Sequence, residues 1–600
     1  MCGIIGYVGA EHGDDALEVL LDGLSQLEYR GYDSAGIALA DGGINVHKCQ
    51  GELSALKSAL PMERLGGEKI GIGHTRWSTH GPPSDANSHP HTDMDEQVAV
   101  VHNGIIENYQ QLRDDLTDAG VEFQSDTDTE VVPHLIAHYR DEGLDYEAAF
   151  RTAINRLEGS YAIAAVFDGI EAVYAVRNES PLVLGIADDG YFLGSDVPAF
   201  IKYTDQVIYL EDGQFARLTP TELVVTGENG RTIETSIETI NWDPEDAGKS
   251  GYDHYMLKEI NEQPTALREC FRGRLDELTG RIELSELGAL KPDGMVTFVA
   301  CGTSYHAAMV GTRLLQERGV PAQAFLASEF DSDAVPIDSE SVVVGVTQSG
   351  ETADTMRALR EANSVGATTV AVTNVVGSSA ARETDEVLYI RAGPEISVAA
   401  TKTFASQQAA LTLLATVFSD QYSRKLVQEL RAVPDQIQSV LDTSSAREVA
   451  ETYHGSDAYF FIGRGYHYPV ALEGALKMKE ITYTHAEGFA AGELKHGPLA
   501  LVSEDTPIFA IVTGDGRLAE KTISNVKEVE ARGTPVVAVT DGESNVERYA
   551  DHVLKVPASS AVTSSIVANV QLQLVAYWTA NEFGRSIDKP RNLAKSVTVE

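Results

Sequence analysis

The sequence predicts a multidomain α/β protein whose second half is a pair of doubly wound parallel-sheet domains. Three observations carry this. The chain has 600 residues, too many for one hydrophobic core and enough for three or four domains. Short apolar runs of strand length alternate with helical patterns, as in parallel strands covered on both faces. The second half also repeats itself in order.

Residues 1–240 read as mixed α/β with many short strands, among them Gly3–Val8, Ser34–Leu39, Gln97–Val101 and Tyr161–Phe167. Residues 241–285 are polar and read as a linker with some helix. The repeat follows. Strand Met295–Ala300 runs into Cys301-Gly302-Thr303-Ser304 and a helix, as Ala458–Ile462 runs into Gly463-Arg464-Gly465 and a helix. Ser341–Val346 leads to Thr347-Gln348-Ser349-Gly350, as Pro507–Val512 leads to Thr513-Gly514-Asp515-Gly516. Val370-Ala371-Val372-Thr373-Asn374 recurs as Val537-Ala538-Val539-Thr540-Asp541. The predicted domains are 286–435 and 448–585, and the tail 586–600 has no clear period.

The charge balance bounds the partners. Ninety acidic residues face 46 basic ones, a formal net charge of −44. Such a polyanion should avoid nucleic acid and anionic membranes. At molar salt the Debye length shrinks to about 3 Å and the self-repulsion is screened. A salt-loving source is therefore expected, with structure lost on dialysis to low salt. The four cysteines, Cys2, Cys49, Cys270 and Cys301, form no C-x-x-C pair and suggest neither a zinc site nor a disulfide framework. No metal and no cofactor is expected. The N-terminus lacks a signal-peptide pattern, and no apolar run approaches membrane-helix length. A soluble, cytoplasmic protein is expected.

Cys2 is the first candidate nucleophile. With Met1 removed, one residue would carry a thiol and an α-amine of pKa roughly 7.7–8.0, a built-in general base. Three clusters accompany it: His74–Gly81, His102-Asn103-Gly104 after an apolar strand, and Asp126–Glu130. Arg76 suits bidentate capture of a carboxylate. An Asn amide beside a Gly N–H suits an oxyanion hole. Read alone, each cluster is equally a surface turn, a strand-ending turn or a helix cap.

Together the strings Cys2-Gly3-Ile4, Leu27–Ser34, His74-Thr75-Arg76-Trp77, His102–Asn108 and Ser125–Glu130 resemble the class II glutamine amidotransferases. That resemblance implies an N-terminal-nucleophile αββα sandwich over 1–240. It implies that Cys2 attacks the glutamine side-chain amide while Asn103 and Gly104 stabilise the oxyanion. Arg76, Trp77, Thr79, His80 and Asp128 would then bind glutamine, with Trp77 in a mobile loop gating ammonia.

In the second half, Cys301–Ser304 and Thr347–Thr352 each join a strand to a helix. Hydroxyls and exposed N–H groups there suit a phosphate, and equally serve as ordinary N-caps. Glu473, Lys477 and Glu480 stand at i, i+4 and i+7 on one helical face. A solvated charge pair would read the same. His496 follows in Gly492–Gly497 as a candidate proton carrier.

This half resembles the paired sugar-isomerase (SIS) domains. With the tail Pro590–Glu600, the whole order resembles the isomerising amidotransferases that make glucosamine 6-phosphate from fructose 6-phosphate. The resemblance implies substrates L-glutamine and fructose 6-phosphate, and a homodimer through the SIS domains. Cys301, Gly302, Thr303, Ser304, Thr347, Gln348, Ser349, Thr352, Val398 and Ala594 would bind the sugar phosphate. His496, from a neighbouring subunit, would open the ring. Lys595 would form a Schiff base, and Glu480 would move a proton between carbons 2 and 1, supported by Lys477 and Glu473. The tail would close over the sugar. Thr347 and Ala400 stand where the family commonly has Ser. Two alternatives are an enzyme acting on another keto-sugar phosphate and a non-catalytic sugar-phosphate-binding regulator. The regulator would not need Cys2, Glu480, His496 and Lys595 together.

Overall fold

The computed structural model describes residues 2–40, 42–61, 65–78, 80–240, 249–288 and 290–598. It divides into two compact units, residues 1–247 with 594–600, and residues 248–593.

The first unit is built on two antiparallel sheets. Its eight-stranded sheet has Gly3–Gly9 near the middle, flanked by Ile70–Arg76 and Gly190–Gly194. Its six-stranded sheet centres on Val173–Asn178 and Gly159–Phe167, and Val98–Ile106 pairs with the latter. Alternation along the first strand decides the layering. Ile4 and Val8 meet Ala99, Val101, Ala162 and Ala164 of the other sheet. Ile5 and Tyr7 instead pack on Leu17, Leu20 and Leu24 of the helix Ala16–Leu27. The far face of the second sheet packs on the helices Val131–Asp141 and Tyr146–Ile154. The result is the expected αββα sandwich.

One expectation is corrected here. The strand read as ending before His102-Asn103-Gly104 runs on to Ile106, paired residue by residue with Gly159–Phe167. Asn and Gly weaken a strand by propensity, but the ladder overrides it. Gly104 has φ +121°, and a Cβ there would lie 2.0 Å from the Ser160 carbonyl oxygen. Only glycine fits. Gly104→Ala should therefore distort this strand and lower glutamine hydrolysis at least tenfold, read as glutamate release.

The second unit holds two five-stranded, all-parallel sheets, each with the strand order second–first–third–fourth–fifth. In one, Val296–Ala300 lies between Ala322–Leu326 and Val342–Val346. In the other, Ala458–Gly463 lies between His485–Ala490 and Ile508–Val512. All six strands predicted from the repeat agree with this to within two residues. In such sheets the order reverses between the first and third strands, and ligands bind beyond their carboxyl ends. The loops Cys301–Ser304 and Thr347–Thr352 occupy that position.

Each repeat also carries a buried helix, Lys402–Ser419 in the first and Ala561–Glu582 in the second. Both are buried on nearly every side, as helices enclosed by a core are. The stretch expected as a linker contributes the helix Tyr255–Phe271, whose Met256, Ile260, Leu267 and Cys270 join the same core. Asp588, from the tail, accepts from the Tyr255 and Met256 N–H groups at 2.9 Å each. Residues 241–248 lie outside the described residues. Among the described residues no helix is long and apolar enough to cross a membrane.

Candidate active sites

Cys2 lies at the start of the central strand, and its neighbours are held from three directions. Asn103 donates through Nδ2 to the Cys2 carbonyl at 3.0 Å and to Ser195 Oγ at 2.7 Å. Arg30 Nε donates to the same carbonyl at 3.3 Å while its Nη1 pairs with Asp196 at 3.1 Å. Cys2 Sγ accepts from the Trp77 N–H at 3.3 Å. The Asn103 amide is oriented from behind. His74 Nε2 lies 3.2 Å from Asn103 Oδ1 and 3.0 Å from the His102 carbonyl. Both partners are acceptors, so that nitrogen carries the proton and the Asn103 NH2 must face Cys2.

Arg76 is 3% exposed. Its Nη2 donates to the His80 and Gly81 carbonyls, while Nη1 is buried without a hydrogen-bond partner among the described residues. An unfilled guanidinium donor here suits a substrate carboxylate. Burial lowers the Arg76 pKa, and Cys2, Asp33 and Asp128 counter it. Asp128, also buried, accepts from the Ile106 N–H at 2.9 Å. His80 packs its ring edge against Tyr109. Thr79 lies outside the described residues, as does Met1.

Behind this site sit four buried histidines. His74 stacks on His89 at 4.1 Å, His89 meets His91 edge-on at 4.7 Å, and the His102 N–H donates to His89 Nδ1 at 3.3 Å. Burial pushes His74 down to about 3 and lowers His89, His91 and His102 as well. The folded state thus holds them neutral, whereas the unfolded chain protonates them near 6.5. Stability from this is full above that pH and is lost as pH falls toward the folded values. For His74 alone the loss at pH 5 is about 2 kcal/mol. We expect the His74 ring signals to keep their neutral-form shifts at pH 5 in NMR spectra. Titration of His74 near 6.5 would contradict the buried cluster.

In the second unit the first-repeat loops meet the acid–base helix of the second repeat. Thr303 Oγ1 donates to Glu473 Oε1 at 3.0 Å and accepts from Lys477 Nζ at 3.2 Å. Lys477 Nζ lies 3.4 Å from Glu473 and 2.6 Å from Glu480. The Glu473 and Lys477 side chains are 0% and 1% exposed, and that of Glu480 is 19% exposed. Burial opposes ionisation of both inner groups. Against it, Lys477 holds Glu473 below the usual carboxylate range, and the two carboxylates raise Lys477. The helix Lys402–Ser419 supports Ser304, whose Oγ accepts from Gln407 at 2.9 Å. The second loop is a tight turn. Thr347 Oγ1 accepts from the Gly350 N–H at 3.2 Å and lies 3.1 Å from Thr352 Oγ1. Ser349 Oγ accepts from the Glu351 N–H at 3.1 Å.

The second repeat does not copy this pocket. Its loop N–H at Gly514 donates to the Asp541 carboxylate at 2.8 Å. A fixed carboxylate of the same repeat thus takes up this loop donor. His467, buried, lies 3.1 Å from both Ser564 Oγ and Thr513 Oγ1. The second repeat therefore brings Glu473, Lys477 and Glu480 to this cluster, and the first brings the loops Cys301–Ser304 and Thr347–Thr352.

The family model described as a glutamine amidotransferase domain matches residues 74–202, and the SIS domain model matches residues 290–417 and 453–582. A glutamine–fructose-6-phosphate aminotransferase (isomerising) from Symbiobacterium thermophilum is 49% identical, with both chains covered over 100% of their length. The Halobacterium salinarum protein of the same description is also 49% identical over 100% of both. The chain belongs to this family of isomerising aminotransferases. A solved structure, the C-terminal domain of glucosamine-fructose-6-phosphate aminotransferase from Francisella tularensis, is 36% identical. It has a TM-score of 0.53 and covers 57% of this chain and 100% of its own.

Within this aminotransferase family frame, the structure gathers Cys2, Asn103 and Trp77 at one centre, and Thr303, Glu473, Lys477 and Glu480 at another. Cys301 and Gly302 begin the same loop and helix, Cys301 as the N-cap. Gln348 is half-buried in its turn, and the Val398 N–H is taken by the Asp588 carbonyl at 3.1 Å. His496 is exposed, outside the acid–base cluster. Ala594 and Lys595 are half-buried and fall in the first unit. Residue-by-residue reading missed Ser195, His306 and Gln407. His306 was findable, since it stands three residues after Thr303 on one helical face. Nothing local marks Ser195 or Gln407, which reach their partners across 92 and 103 residues.

Proposed function

We propose that the chain transfers the amide nitrogen of L-glutamine to D-fructose 6-phosphate with isomerisation, giving D-glucosamine 6-phosphate and L-glutamate. The observation that carries this is the buried Thr303–Glu473–Lys477–Glu480 cluster beside the switch-point loops, in a chain aligned end to end with relatives of that activity.

In this reading the Cys2 thiolate attacks the glutamine amide carbon. Ammonia leaves, and water releases glutamate from the thioester. Asn103 Nδ2 and the Gly104 N–H receive the oxyanion, and Arg76 and Asp128 hold the α-carboxylate and α-amine. Ser304, Gln348, Ser349 and Thr352 bind the sugar phosphate through hydroxyls and backbone amides, which suits so acidic a chain. Lys595 condenses with the keto carbon, expelling water, and ammonia displaces it. Glu480 takes a proton from carbon 1 and returns one to carbon 2, converting the ketimine to the amino aldose. Glu480 is adapted to this by its 2.6 Å contact with Lys477, which stabilises the carboxylate between transfers. The exposed His496 fits a role in the sugar site of a second copy, so a homodimer is part of this reading. So are a cytoplasmic location and the absence of nucleic-acid or membrane partners.

The test is incubation in molar potassium chloride with amide-¹⁵N glutamine and fructose 6-phosphate, with products read by mass spectrometry. Labelled glucosamine 6-phosphate is expected. Labelled ammonia and glutamate without aminosugar would overturn the assigned acceptor.

A further inference from the structure

His306 lies on the helix Gly302–Glu317, one turn beyond the Cys301–Ser304 loop. Its Nδ1 is 2.8 Å from Glu473 Oε2, and its side chain is 13% exposed. The two oxygens of Glu473 are used differently. Oε1 is shared by Thr303 at 3.0 Å and Lys477 at 3.4 Å, whereas Oε2 faces His306. A carboxylate is an acceptor only, so His306 Nδ1 carries the proton in this contact. Lys477 in turn divides its ammonium between Glu473, Glu480 and Thr303.

We propose that His306 is a positioning residue for the isomerisation, fixing the Glu473 carboxylate so that Lys477 stays turned toward Glu480. The proposal rests on Glu480 being the group that moves the proton. Glu473 is fully buried, and a buried carboxylate oxygen without a donor is costly. Without His306, the nearest cation that can cover Oε2 is Lys477. Its movement toward Glu473 would lengthen the 2.6 Å contact with Glu480 and leave that carboxylate displaced. His306 and Thr303 belong to the first repeat, whereas Glu473, Lys477 and Glu480 belong to the second. This contact therefore keeps the base in register with the phosphate loop. Misplacement of a catalytic group by about 1 Å costs on the order of a hundredfold in rate.

The test compares His306→Leu, His306→Asn and Glu480→Gln in the full chain, with glutamine hydrolysis and aminosugar formation assayed separately. His306→Leu should lower kcat for aminosugar formation roughly tenfold to a hundredfold. The KM for fructose 6-phosphate and glutamine hydrolysis should stay within about twofold. His306→Asn, whose amide N–H can replace Nδ1–H, should recover most of the loss. A leucine variant with wild-type kcat, beside an inactive Glu480→Gln, would overturn the proposal alone. So would an asparagine variant no better than leucine. A Glu480→Gln enzyme with full turnover would overturn the site reading and this inference with it.

Discussion

Replacing Cys2 with alanine should abolish glutamine hydrolysis while aminosugar formation from free ammonium persists. The thiol accepts from the Trp77 N–H at 3.3 Å, and the backbone of Cys2 is held separately by Asn103 and Arg30. Alanine keeps every one of those backbone contacts and removes only the nucleophile. The loss of rate is expected to exceed about a thousandfold, because covalent catalysis has no substitute in this pocket. Unfolding should be unchanged, since Cys2 is only half-buried. The decisive comparison is product formation with glutamine against product formation with ammonium chloride. Glutamate release at the native rate would remove Cys2 from the mechanism. Equal loss with both nitrogen sources would mean that the variant damages more than the amidotransferase centre.

The second large effect is expected at Lys477. Lys477→Met keeps the length of the stem and deletes the charge between two carboxylates. Glu473 would then be a fully buried anion supported only by Thr303 and His306. Breaking one side of such a buried pair costs about 3–5 kcal/mol. The carboxyl of Glu473 should respond by taking up a proton, since the cation that outweighs its burial is gone. Stability of the second unit should therefore fall at neutral pH and partly recover as pH drops, the opposite slope to that of the buried histidines. Aminosugar formation should be undetectable while glutamine hydrolysis continues. Denaturant titrations at pH 7.5 and pH 5.5 check the stability claim. A Lys477→Met chain as stable as the native one at pH 7.5 would show that Glu473 is not carried as an anion.

Much of this was legible in the residues. The repeat located both parallel sheets because buried parallel strands are uniformly apolar, as in Val342–Val346 and Ile508–Val512. Glu473, Lys477 and Glu480 were recognisable as one helical face from their spacing. What their spacing could not reveal was burial: an i, i+4 pair of this kind is usually solvated, and here the helix that carries it is packed into the core of the unit. The strand through His102-Asn103-Gly104 was truncated in the sequence because its extension depends on a partner more than 50 residues away. The helix Tyr255–Phe271 looked like linker because its buried side includes Lys258, Glu259 and Gln263 as well as apolar residues. Their partners lie elsewhere in the unit: Glu259 accepts from the Ser397 N–H at 3.1 Å, and Gln263 donates to Gln573 at 2.9 Å.

The Asp541 carboxylate on the Gly514 N–H bears on how the two repeats depend on each other. In the proposed function, the repeat that closes this loop on its own aspartate carries the acid–base helix, and its sister keeps the open loops. Each half of such a tandem would need the other for turnover. Division of labour of this kind locks the tandem together as a single unit of selection, even though the two sheets keep the same strand order.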